Sequence, residues 1–215
     1  MASNETTYNE EQITTLLRNI NTHYVSLKSA IGDDMQRNVL DKLAEVWYMQ
    51  SAVTYWGEEV TAWNSMCSKI NDKFKDIYSD INTCASNYAQ ACGTSWRNPS
   101  WTGTPATVSS NFKEVSADGK RGITDHSSFD TYRTTNLDAV KTSAEDALNS
   151  VLSACGNSGF IDGGTQAQIE STVSSIKVAI ANAINTAKED INKNSGTAQT
   201  NVNSAVTANS STSAS

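Results

Sequence analysis

Between Val60 and Ala91 the chain places an apolar residue at alternating steps of three and four: Val60, Trp63, Cys67, Ile70, Phe74, Ile77, Ile81, Cys84, Tyr88 and Ala91. A strand alternates every two residues, whereas this spacing keeps one stripe of a helix turned toward a neighbour for several heptads. It predicts a single helix about 48 Å long, zipped along another helix. Three more stripes have the same period: Ile13, Leu17, Ile20, Tyr24, Leu27, Ile31; then Leu137, Val140, Ala144, Ala147, Val151, Ala154; then Ile169, Val173, Ile176, Ile180, Ala183, Ala187, Ile191, with a weaker echo at Ala198, Val202 and Ala205. The last stripe is rich in Ala, which permits close approach but buries less area per contact. Together they predict an all-α fold of two long antiparallel helical hairpins, like a four-helix bundle or coiled coil, joined by an irregular aromatic connector.

Punctuation divides the chain into an N-terminal hairpin (1–93), a connector (94–130), a C-terminal hairpin (131–208) and a polar tail (209–215). In the first hairpin Gly32 is a stop signal and Asp33 a new N-cap, with Met35, Val39, Leu43 and Val46 continuing at changed spacing. Ser51 is placed to cap the next helix, and Gly93 to end it. Both prolines, Pro99 and Pro105, sit in the connector with Trp96, Trp101, Phe112 and a turn signal at Asp118-Gly119. A connector this long is expected to pack through its tryptophans, to form a small β-hairpin around Asp118-Gly119, or to be the functional surface. The Ser-, Thr-, Ala- and Asn-only tail is expected to be disordered in isolation.

Composition excludes several functions. The net charge is −7, and the acids and bases are spread evenly over both halves. No basic cluster is available to neutralise phosphates, so nucleic acid is not an expected partner. No apolar run approaches the roughly 20 residues of a membrane span. Residues 1–12 lack the charged and apolar regions of a Sec signal, so any export is expected to follow a signal-independent route; a particle or the cytoplasm are the other locations. Cys67 and Cys84 share one helical seam too far apart to bridge, which leaves only Cys92 with Cys155 open as a disulfide. No close ligand pair suits zinc, and neither metal nor cofactor is expected.

Candidate catalytic groups are sparse. His23 and His126 are the only histidines, and neither can be assigned a nucleophile and an orienting acid. Asp33, Asp34, Glu58 and Glu59 read as acids favoured by helix N-termini. Asp162-Gly163-Gly164 reads as a turn, since the acid spacing of a calcium loop is missing. Asp118-Gly119-Lys120-Arg121-Gly122 lacks the strand-loop-helix frame of a phosphate loop. No catalytic residue and no enzyme activity is expected.

What stands above this background is aromatic. Trp47, Tyr48, Tyr55, Trp56 and Trp63 crowd the join between the first two helices. They either fill the wide end of the hairpin, where Leu is too small, or form a docking patch, since Trp and Tyr dominate interface hot spots. With Trp96 and Trp101 of the connector they are the candidate interaction residues, for a protein partner in a homo- or hetero-oligomer or larger assembly.

Leu43, Trp47, Ala52, Tyr55 and Trp56, followed by the long helix to Tyr88, resemble the WXG100 (ESAT-6-like) family of type VII secretion substrates. The resemblance implies a helical hairpin over residues 9–92 with the Trp in its turn, pairing into a four-helix bundle, and export without a signal peptide. The chain departs from the family in having Met49 where the motif has Gly. It also lacks, after residue 92, the family's export signal of Tyr with an acid four residues on; Tyr55 and Glu59 match that spacing only near the turn. The alternative function is a structural subunit of a phage virion or similar particle. A helical pore-forming toxin comes third.

Overall fold

The computed structural model describes residues 8–212, with side chains through Gly196. Its elements in order are α1 (Glu10–Lys28), a π-helical stretch (Ser29–Leu40), α2 (Asp41–Ala44), β1 (Trp47–Tyr48), α3 (Gln50–Ala91), β2 (Gly122–Ile123), α4 (His126–Thr131), a second π-helical stretch (Tyr132–Asn136), α5 (Leu137–Gly156) and α6 (Gly163–Thr212). The fold is all-α, and the two strands are a two-residue antiparallel pairing, Trp47 with Ile123 and Tyr48 with Gly122.

The four stripes meet in one continuous core. Paired contacts run in opposite directions along each neighbouring pair of helices. Tyr24 packs on Phe74, with ring centroids 4.8 Å apart, and Trp63 reaches Ile31. Gln12 donates to the Ser158 carbonyl and Asn136 to that of Asn38, which sets α1 and its π-helical extension against α5 and its own. Tyr55 meets Ala187 while Cys84 meets Thr165, so α3 lies along α6. Lys188 pairs with Asp138 and Lys177 donates to Asn149, which joins α5 to α6. Ile184 is also buried, one step beside the expected stripe.

Asn9 caps α1 by accepting from the Gln12 N–H at 3.0 Å. Gly32 does not end the first helix, and Asp33 is not a cap; the chain winds on through the π-helical stretch into α2. The apolar series Leu27, Ile31, Met35, Val39, Leu43 explains this, since a step of four overshoots the 3.6-residue α turn by about 40° and a wider turn absorbs it. Asp33 and Asp34 therefore sit mid-helix, where Asp34 pairs with Arg37 at 3.6 Å. Ser51 is not a cap either: Met49 occupies that position, and the Ser51 hydroxyl is buried without a partner. At the far end of α3, Gly93 (φ +73°) makes the left-handed turn expected of it. The Thr94 N–H returns to the Ala89 carbonyl at 2.9 Å and that of Gly93 to Gln90 at 3.0 Å, closing a Schellman motif.

Asp125 caps α4, so helix resumes at His126, earlier than the expected 131. Asp162 caps α6 through the Thr165 N–H at 2.9 Å. That helix continues through Thr212, into the segment expected to be a disordered tail; 213–215 lie outside the described residues. Among the described residues no disulfide forms, Cys92 with Cys155 included. Burial pushes the Cys67 and Cys155 thiols up to about 12.

Candidate interaction surface

The connector is neither a free loop nor a β-hairpin. From Trp96 to Phe112 it runs as an extended strap along the groove between α1 and α3, held by side-chain amides. Asn64 both donates to the Val108 carbonyl (3.0 Å) and accepts from the Val108 N–H (2.8 Å). Gln36 makes the same pair of bonds with Ser109, at 3.2 and 2.7 Å. Asn82 donates to the Pro99 carbonyl at 3.1 Å. The Tyr24 hydroxyl, whose phenol burial raises, donates to the Thr104 carbonyl at 2.9 Å.

The register follows from two rises. From Pro99 to Val108 an extended chain covers about 30 Å, and from Asn82 to Asn64 a helix covers about 27 Å. A strap residue therefore keeps pace with two helix residues. Gly32 provides the space: a Cβ there would stand 3.0 Å from the Cβ of Ala106, which is buried against it. Past the strap, Asp118-Gly119 does turn the chain, with Gly119 at φ +73°, but the chain emerging from it pairs with β1. Lys120 and Arg121 are engaged by Asp118 (3.8 Å) and Glu114 (3.4 Å), so this loop offers no unpaired cation to an anion.

The strap decides where the candidate aromatics go. Trp47 is 0% exposed, edge-on to Phe112 at 6.0 Å and to Phe129 at 5.4 Å. Trp56 stacks on Phe112 at 5.4 Å, and the buried Trp63 donates its indole N–H to the Ile31 carbonyl at 2.8 Å. Trp47 and Trp56 fill the hairpin end, where Phe112 covers both and Phe129 covers Trp47; Trp63 is buried further along the seam opposite Ile31, so none of the three belongs to an exposed docking patch. Those two phenylalanines are the partners that the sequence reading missed. Tyr48 and Tyr55 are half-buried; desolvation raises the Tyr55 phenol, with Glu59 and Asp190 adding to it.

Trp96 and Trp101 remain half-exposed on the strap. Their indole N–H groups donate to Asn82 (2.8 Å) and Asn71 (3.3 Å) of α3. Gly103 adjoins the Trp101 ring, which a Cβ there would strike. A cleft of about 250 Å³ opens on the α1 side, between Arg18 and Asn21 on one wall and Tyr78, Trp96 and Trp101 on the other. A second, of about 490 Å³, lies across the strap beside Lys75 and Asn98. On another side of the molecule an apolar groove of about 370 Å³ between α3 and α6 is lined by Ala62, Met66, Ile70, Ile176 and Ala179, with Lys69 and Lys73. Neither lysine has an acidic partner among the described residues.

Among the described residues no three His, Cys, Asp or Glu side chains gather to hold a metal ion, and no helix is long and apolar enough to cross a membrane. Cys84 donates its thiol to Asp162 at 3.1 Å, which serves the α6 cap. Compared with protein-family models, curated proteins and solved structures, the chain gives no match.

Proposed function

We propose that this is a non-enzymatic helical interaction protein on the WXG100 plan, in which the second half of the chain forms the hairpin that other members obtain from a partner subunit. The observation that carries the reading is Trp47, wholly buried in the turn between two long antiparallel helices. The stripes of α5 and α6 then complete a four-helix bundle in one chain. With the seams occupied, the partner surface moves to the α3–α6 groove, where an apolar floor beside Lys69 and Lys73 suits an amphipathic helix with acids flanking its apolar stripe. The test is export of the tagged chain from a bacterium carrying a type VII system, with and without its secretion ATPase. Appearance in the medium only with the ATPase, and retention of Lys69→Glu/Lys73→Glu, is the expected result; ATPase-independent release, or no release, overturns it.

A particle subunit is the second reading, favoured by the length of α6. Tyr55 is five residues into α3 and meets Ala187, which puts Asn192 level with the start of α3. The helix continues to Thr212, about 30 Å further. The echo of the last stripe at Ala198, Val202 and Ala205 lies beyond the residues whose side chains are described.

A further inference from the structure

The cleft between α1 and the strap has two chemically different walls. One is hydrocarbon: Tyr78, Pro99 and the rings of Trp96 and Trp101. Because both indole N–H groups are already committed to Asn82 and Asn71, those rings offer the cleft their carbon surfaces, held in place before any ligand arrives. The facing wall carries Thr14, Arg18 and Asn21, with Thr102 at the strap. None of these four side chains has a hydrogen-bond or ionic partner among the described residues, although Arg18 is a full charge in a chain of net charge −7.

We propose that this cleft binds one acidic pyranose, a hexuronate unit of a glycan. Such a ring has a C–H face for the aromatic wall, hydroxyls around its rim for Thr14, Asn21 and Thr102, and a carboxylate for the Arg18 guanidinium, whose planar fork matches carboxylate geometry. The volume, about 250 Å³, admits one such ring and falls short of the larger cavities that hold drug-sized ligands. The inference is independent of the export reading.

The probes are methyl glucuronide and its uncharged counterpart methyl glucoside, titrated into the full chain by calorimetry and by tryptophan emission, which reports the half-exposed Trp96 and Trp101. The glucuronide binds saturably at one site and about tenfold more tightly than the glucoside. Since the protein's overall charge repels anions, that preference isolates the local cation. Arg18→Gln removes the preference without changing Tm, because Arg18 is exposed and holds nothing in the fold, and Asn21→Ala weakens both sugars. Saturable binding by neither sugar, equal binding of the two, or an unchanged preference in Arg18→Gln overturns the proposal.

Discussion

At the hairpin end the Trp47 ring is wholly buried, enclosed by Phe112, Phe129 and the β1–β2 pairing. Trp47→Ala leaves a cavity that neighbouring elements cannot all close, and is expected to cost about 3 to 5 kcal/mol in chemical denaturation. A loss below about 1 kcal/mol would show that the ring is not core. Asp162 allows a second test. Its carboxylate accepts from the Thr165 N–H, the Cys84 thiol and the Thr165 hydroxyl, which holds it down at about 2, below the usual 3.8. A carboxyl depressed on folding stabilises above its unfolded value and loses that contribution as the pH falls through the folded one. The stability gap between the native chain and Asp162→Ala should therefore be full above about pH 4 and close as the pH approaches 2. A gap independent of pH would mean that the cap does not act through its charged form.

At the scale of elements, what was legible in the sequence was whatever has a period. Most positions of the stripes of α1, α3, α5 and α6 are buried because a helix repeats its environment every turn, whereas Ala91, in the last turn of α3, is exposed. The strap has no such signature: its backbone bonds go to Asn64, Gln36 and Asn82, side chains distant in sequence, and such pairings leave no local pattern. Gly32 misleads for a related reason. It looks like a helix stop, yet its missing Cβ serves an approach by Ala106, a residue 74 positions on. Trp47 and Trp56 could be located but not their covering, since Phe112 belongs to the strap. Two substitutions test the strap. Asn64→Leu removes both bonds to Val108 and leaves that N–H and carbonyl unpaired, costing about 1 to 3 kcal/mol. Gly32→Val puts a branched side chain where Ala106 now sits. Both should accelerate amide hydrogen exchange at Val108 and Ser109, while the interior of α5 stays protected; unchanged exchange at those two amides would contradict the seat described for the strap.

For the molecule as a whole, the strap also accounts for the topology. α3 ends beside the start of α1, and the connector returns the chain along the groove to the Trp47 end, so that α5 can run antiparallel to α1 and α6 antiparallel to α3. A loop spanning only one end would reverse both directions. Among the described residues the stripes of α1, α3 and α5, and that of α6 as far as Ile191, pack into one core within the chain. The measurement that tests this most directly is the mass in dilute solution by light scattering after size exclusion. Internal closure predicts 23.1 kDa at every concentration, with cooperative unfolding at a midpoint that does not move on dilution. A mass of twice that value, with a midpoint that falls as the protein is diluted, would mean that the seams are completed by a second copy and would contradict the account.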